Sequence, residues 1–379
     1  MFLASSKIYP IGLDISDLGI KLVQLKKAGD NIKFQAWGKV DLEKGFVSGG
    51  KIIKKQEVLN SIKQLISKPK FGSVTSNEVV ASLPETKTFI KLIKIDKSPN
   101  QIADIIENEI EKHFPVSAKE IYYDWQTIKT RPDSFDILVG AAPKLIVNQY
   151  VNLLQEAKLS IKALEIESAA ICRSLLKEES KKGDKDKTKN YCLIDIGATR
   201  ASIIIYAKNS IALTMSLPIS SDEITQKIAQ TLEIKKDQAE KAKIICGFDK
   251  SQAHGIINDI LLDMVNKLTN KIKKVLEFYN NEYPQYDAID EILLCGGGAN
   301  IKKIDAAISQ STAIKTSLAS PFINLGKIKD STTKNFTEIH QISPDNNQPN
   351  KPTSLKQNAG LTYATAIGLA LRGIFIPKI

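Results

Sequence analysis

Two stretches of alternating apolar and polar residues share one layout. "IGLDISDLGIKLVQL" (11–25) and "YCLIDIGATRASIIIY" (191–206) each predict a strand, an Asp near its end, a tight turn and a second strand. Around the first, "KFQAWGKV" predicts another strand, Val58, Leu59, Ile62, Leu65 and Ile66 predict a helix over 57–67, and "EVVASLP" predicts a strand stopped by Pro84. Residues 85–162 then run through a strand ("TFIKLIKI"), a helix from Ser98-Pro99 to Pro115, two paired strands ("EIYYDWQTIKT" and "FDILVGAAP") and a helix ("PKLIVNQYVNLLQEAKLS"). That succession predicts a small subdomain of its own. "IKALEIES" begins as a strand and turns helical near Ser168, and 222–282 has helical spacing. "EILLCGGGANI" predicts a strand breaking into a Gly-rich turn, with Ala299 and Asn300 starting the next helix. "NAGLTYATAIGLALRG" predicts a closing helix rich in small residues.

Two polar stretches separate these blocks. Residues 177–190 hold six Lys, four acidic residues and no large apolar side chain, which predicts a solvated connection. Residues 327–357 predict a long loop. A chain of 379 residues exceeds one ordinary core, so two domains are expected. The hairpin layout recurs roughly 180 residues apart, from Asp14 to Asp195, as an internal repeat would.

Charge and composition narrow the chemistry. A net charge of +11 permits an anionic partner, but the lysines are spread along the chain and no nucleic-acid motif occurs, so direct nucleic-acid binding is not expected. Cys172, Cys192, Cys246 and Cys295 lie far apart and are expected to be small buried hydrophobes in a reducing compartment. With the three His residues equally scattered, a zinc site is not expected. "MFLASSKIYP" is too short and polar for a signal peptide, and the most apolar stretch, 361–377, carries Arg372, which fits a buried helix.

Three turns could hold a ligand. Gly and Ser or Thr in the two hairpins let a phosphate approach the backbone and meet hydroxyl donors. Asp14 and Asp195 would repel that phosphate unless hydrated Mg²⁺ lay between them. A hairpin Asp that caps its own turn is the plainer alternative for either hairpin alone. Two such hairpins plus a third turn, "CGGGAN", favour the ligand. No GxxxxGK[ST] occurs, and the late Gly run does not sit where a dinucleotide fingerprint belongs.

These features resemble the actin-like ATPase superfamily and, within it, the PilM family of type IV pilus assembly. The carriers are "GLDISDLGIKLVQL", "SLPETKTFIKLIKI", "EKHFPVSAKEIYYDW", "CLIDIGATRASIIIY", "DQAEKAKI", "ILLCGGGANI" and "ATAIGLALRG", in order over nearly the whole chain. The resemblance implies an α/β actin-like ATPase fold, with two duplicated RNase H-like domains carrying inserted subdomains and enclosing ATP and Mg²⁺. It implies that Asp14, Ser16 and Lys21 form the first phosphate loop, and Asp195, Gly197, Ala198 and Thr199 the second. Gly296, Gly297 and Gly298 would form the adenosine motif, Glu240 and Lys243 would lie near the ribose, and Asp14 and Asp195 would hold Mg²⁺ through water. Glu165 and Glu167 would stand where a carboxylate orients attacking water, giving at most slow ATP hydrolysis. Ser16 stands where the family usually has Gly, and Asp17 follows it.

The implied subdomains are 1–84 with 163–180 and 358–379, the insert 85–162, the connection 177–190, a second core of 191–221 and 285–326, the helical 222–284, and the loop 327–357. The implied partner is the cytoplasmic N-terminal tail of a PilN-like membrane protein, lying extended along 88–95 and the helix 102–114. Other inner-membrane pilus proteins and self-association are further partners the family implies. The protein would be cytoplasmic, at the inner face of the cytoplasmic membrane, touching membrane only through partners. Two alternatives share the superfamily. One is an FtsA-like membrane-associated filament, against which stands the ending "LRGIFIPKI", with no detached amphipathic helix expected. The other is a small-molecule kinase, for which no sugar-binding constellation is evident.

Overall fold

The computed structural model describes residues 8–29, 31–96, 102–113, 117–177, 189–325 and 360–375. Most of the expected connection 177–190, the loop 327–357 and both ends of the helix expected between Ser98 and Pro115 lie outside the described residues.

The first half supplies β1 (Ile11–Ser16), β2 (Gly19–Ala28), β3 (Asn31–Asp41), the short pair β4 (Val47–Ser48) and β5 (Lys51–Ile52), α1 (Lys55–Ser67), β6 (Phe71–Gly72) and β7 (Glu78–Leu83). After these come β8 (Phe89–Asp96), α2 (Ile102–His113), β9 (Ile121–Thr130), β10 (Ser134–Pro143), α3 (Lys144–Glu156), β11 (Ser160–Ile166) and α4 (Glu167–Leu175). The second half supplies β12 (Tyr191–Ile196), β13 (Ala201–Ala207), β14 (Ser210–Leu217), α5 (Ser221–Thr231), α6 (Lys236–Cys246) and α7 (Ile256–Glu282). It ends with β15 (Glu291–Cys295), α8 (Ile304–Thr312), β16 (Thr316–Leu318) and α9 (Ala364–Phe375).

The repeat is visible in the wiring. One sheet runs β11-β7-β1-β2-β3-β6 and the other β16-β15-β12-β13-β14-β8-β10-β9. In each, an antiparallel hairpin (β1–β2, β12–β13) leads to a third antiparallel strand. Its first strand also takes a parallel neighbour on the other side (β7, β15), which pairs in parallel with a fifth (β11, β16). Parallel strands need a crossover, and helices supply it: α3 before β11 and α8 before β16. α4 and α9, which follow those strands, pack on each other between the two sheets.

The same logic divides the block expected to be self-contained. β8, β10 and β9 do not form a separate sheet, because Lys91 of β8 pairs with Leu213 of β14 and the second sheet continues across. The Tyr283 hydroxyl secures this seam, lying 3.0 Å from the Leu92 carbonyl and 3.1 Å from that of Ala212. α2 covers these strands with Ile106 and Ile110. α3 leaves them: Ile146, Tyr150, Leu153 and Leu154 are buried in the core of the first sheet. By packing, the insertion ends near Pro143, since α3 serves the crossover to β11.

Two further expectations change. Ala299 and Asn300 lie in a 3-10 turn, and the following helix begins at Ile304. All four cysteines are free, but only three are buried, Cys246 being partly exposed. α9 is buried along nearly its whole length, and no helix among the described residues is long and apolar enough to cross a membrane.

Candidate functional site

The two hairpins face each other across a cleft of about 1060 Å³. Antiparallel register sets Asp14 opposite Lys21, and their side chains meet at 2.9 Å. Asp14 also accepts a hydrogen bond from Ser82 of β7 at 3.3 Å. In the second hairpin the position opposite Asp195 is Ser202, so no lysine stands beside it. One ammonium, that of Lys21, therefore serves both aspartates. Burial acts to lower the Lys21 pKa, but Asp14, with Asp195 and Glu167 behind it, outweighs that and raises it.

Asp195 is pushed up to about 6. Burial is the main cause, and Asp14 adds to it against the pull of Lys21. Its Oδ1 lies 3.7 Å from the Cys295 thiol, a weak donor. The late glycines explain this enclosure. Gly296 sits at φ +83°, and a Cβ there would lie 2.2 Å from Asp195 Oδ1. A Cβ on Gly298 would lie 2.3 Å from the Ile196 side chain. Two of the three glycines are thus required by the hairpin they pack against. Gly297 alone leaves room, since a Cβ there would meet only Thr362 Cγ2, at 3.8 Å.

The expected residues Asp14, Ser16, Lys21, Glu167, Asp195, Gly197, Ala198, Thr199, Glu240, Gly296, Gly297 and Gly298 all line the cleft. Glu165 and Lys243 are not among the residues lining it. Glu165 is buried, its carboxylate held by Arg173 at 2.5 and 2.7 Å and by Arg372 at 2.8 Å, a network that ties α4 to α9. The expectation that it orients water beside a phosphate is corrected on that ground. Lys243 is also buried, and its ammonium lies 2.7–3.1 Å from Ser221, Thr225 and Glu240. It joins α5 to α6 from outside the cleft lining. Glu240, its partner, does face the cleft.

Glu167, the first residue of α4, remains as the carboxyl near both aspartates. Burial first, then Asp14, Asp195 and Glu85, raise it well above the usual carboxylate range. Glu85 was not foreseen. It follows β7, and its backbone N–H donates to Glu167 at 3.3 Å while its own carboxylate accepts from the Ser168 N–H at 3.2 Å. "LPET" at a strand end was the only signal for it. Burial raises the Glu85 carboxyl as well. Asp17, the negative charge that follows Ser16 beside the first phosphate loop, accepts hydrogen bonds from the Gly49 and Gly50 N–H groups at 2.9 Å each and from the Thr199 hydroxyl at 3.2 Å.

The model of the family described as "Type IV pilus assembly protein PilM" matches residues 12–374. The chain belongs to that PilM family. A solved PilM–PilN type IV pilus biogenesis complex is similar over 97% of this chain and 99% of that one, with a TM-score of 0.75 at 18% identity. The ethanolamine utilization protein EutJ from Carboxydothermus hydrogenoformans follows the same fold, with a TM-score of 0.54 at 13% identity over 96% of this chain and 90% of its own. The cell division protein FtsA of Buchnera aphidicola subsp. Acyrthosiphon pisum (strain APS) is 21% identical over 173 residues, 39% of this chain and 41% of that protein. The chain thus spans about two-fifths of that curated relative's length. The fold of this PilM-family chain is the actin-like ATPase fold.

The cleft fits a nucleotide with its metal. Its volume suits a ligand of that size. Lys39, Lys44, Arg200 and Lys236 line the cleft as well, but Lys21 is the cation that meets Asp14, and a divalent cation between the two aspartates would offset the charge they set against a polyphosphate.

Proposed function

We propose that this chain binds ATP with Mg²⁺ in the cleft and serves pilus assembly by holding the cytoplasmic N-terminal tail of a PilN-like inner-membrane protein. The observation that carries the nucleotide reading is the pair of opposed aspartates with one lysine between them. Asp14 and Asp195 would hold the metal through its waters, with Lys21 beside the phosphates. Ser16, Gly197, Ala198 and Thr199 would meet the phosphates with backbone and hydroxyl groups, while Gly297 leaves room for the adenosine beside Gly296 and Gly298, and Glu240 faces the ribose. When bound, Mg²⁺ neutralises phosphate charge. Burial, with Asp14, Asp195 and Glu85 around it, raises the Glu167 carboxyl well above the usual range, and no other base among the expected residues stands free to activate water. This supports at most slow hydrolysis.

For the peptide, β8 lies inside the sheet, paired with β10 along its length and with β14 at Lys91 on its other side. The edge of that sheet on the side of the insertion, among the described residues, is β9. Beside it stand exposed Tyr122 and, at the start of α3, exposed Leu145, with Lys144 over the Tyr122 ring at 5.6 Å. An extended tail would add to this edge and use those side chains as its pocket. That would place the protein at the inner face of the cytoplasmic membrane through its partner, alongside other inner-membrane pilus proteins, with self-association open to the same edge.

Calorimetry tests both halves. Mg-ATP should bind the wild type and fail to bind a folded Asp195→Ala variant. A PilN-like tail peptide should lose about tenfold in affinity for Leu145→Glu. Equal ATP affinity in both proteins would sink the nucleotide reading, and equal peptide affinity would move the groove elsewhere.

A further inference from the structure

Asp17 lies at the tip of the first hairpin, and its carboxylate meets both lobes. On its own lobe, Oδ1 accepts the Gly50 N–H and Oδ2 the Gly49 N–H, each at 2.9 Å. Gly49 and Gly50 lie at φ +54° and +78°, and their successive N–H groups make a small concavity for an anion. That loop is held from behind. Thr86 donates to the Gly49 carbonyl at 2.8 Å and the Tyr150 hydroxyl to that of Gly50 at 3.0 Å. On the opposite lobe, the Thr199 hydroxyl donates to the same Oδ2 at 3.2 Å, across 182 residues of chain.

Thr199 has one hydroxyl proton to donate. The nucleotide reading, on which this inference rests, assigns that proton to a phosphate. A phosphate oxygen and Asp17 therefore compete for it. Asp17 is itself an anion between the two hairpins, already seated on backbone donors. Unlike Asp14, it forms no ion pair with a lysine among the described residues. Its negative charge acts on whatever phosphate chain enters, and acts more strongly on the chain with more negative charge.

We propose that Asp17 is a specificity-determining residue of the cleft: it holds Thr199 across the lobes in place of a phosphate, and its charge favours ADP relative to ATP.

The test uses the full chain and three proteins: wild type, Asp17→Ser and Thr199→Val. Without nucleotide, backbone amide exchange is followed over 196–202 and 47–52. Both variants should speed exchange over 196–202, by about tenfold for one lost cross-lobe hold, and only Asp17→Ser should also speed it at Gly49 and Gly50. Calorimetry with Mg-ATP and Mg-ADP should then show Asp17→Ser binding ATP about tenfold more tightly and ADP only about threefold more tightly. Unchanged exchange over 196–202 in both variants overturns the cross-lobe hold. Binding of both nucleotides with an unchanged affinity ratio overturns the specificity while leaving the nucleotide reading standing. Failure of all three proteins to bind either nucleotide overturns that reading and the specificity with it.

Discussion

At Asp195, burial, with Asp14 adding to it against the pull of Lys21 and the Cys295 thiol, holds the carboxyl at about 6 in the folded chain. Unfolded, it would titrate near 3.9. Between those values the folded chain binds the extra proton, so its stability relative to Asp195→Asn falls as pH rises through this window and is level above it. Because the group opens on the cleft, the difference should be modest, about 1–2 kcal/mol. Urea unfolding of both proteins without nucleotide, at pH 4 and pH 7, measures it, and an identical gap at the two pH values would refute it. Glu165, two residues before Glu167, belongs to a different kind of site. Replacing it with Ala leaves the partly buried Arg173 and Arg372 without this counter-charge and should cost about 1.5–3 kcal/mol. Nucleotide affinity in the protein that remains folded should stay within about twofold. A large affinity loss without a stability loss would put Glu165 back in the cleft.

At the scale of elements, the turn after β15 separates packing from binding. Gly296→Ala puts a methyl 2.2 Å from Asp195 Oδ1 at φ +83°, and should destabilise the chain by about 1–3 kcal/mol. Gly297→Ala meets nothing closer than 3.8 Å and should leave stability unchanged while filling part of the cleft. Thermal melts should therefore tell the two variants apart, and calorimetry should find nucleotide affinity lowered in both. A stability loss in Gly297→Ala would show that the whole turn, rather than two of its glycines, is fixed by packing. Helices α5 and α6 depend on another buried contact: the Lys243 ammonium ties Ser221 and Thr225 of one to Glu240 of the other. Glu240 thus reaches the cleft from a helix fixed by its own neighbour.

At the scale of the molecule, the insertion and the second lobe share one sheet, and Tyr283 crosses their seam. Tyr283→Phe removes a donor from two buried carbonyls, those of Leu92 and Ala212, and should cost about 1–3 kcal/mol. Amide exchange should rise in β8 and β14 and stay unchanged in β1 and β2, which belong to the other sheet. Equal acceleration in both sheets would mean that the seam is not a local joint. The charge cluster of Asp14, Lys21, Glu85, Glu167 and Asp195 is likewise a property of the whole, because its members come from β1, β2, the β7–β8 turn, α4 and β12.

The sequence by itself determined what depends on near neighbours. Period-two alternation and a turn of Gly, Ser and Thr are enough to make a hairpin, and a hairpin's register sets Asp14 against Lys21. Small residues along 360–375 were enough to predict a buried helix, and a repeated hairpin was enough to predict a duplicated fold. Tertiary structure decided what depends on distant partners. Glu165 and Glu167 differ by two positions, yet Arg372, 207 residues away, draws one carboxylate from the cleft and leaves the other to it. Asp17 stood in the sequence as an unmatched charge, and only folding brings Gly49, Gly50 and Thr199 to it. α3 had the apolar stripe to cover either sheet, and the crossover to β11 chose the first. Local periodicity says that a face is buried; the chain's return path says against what.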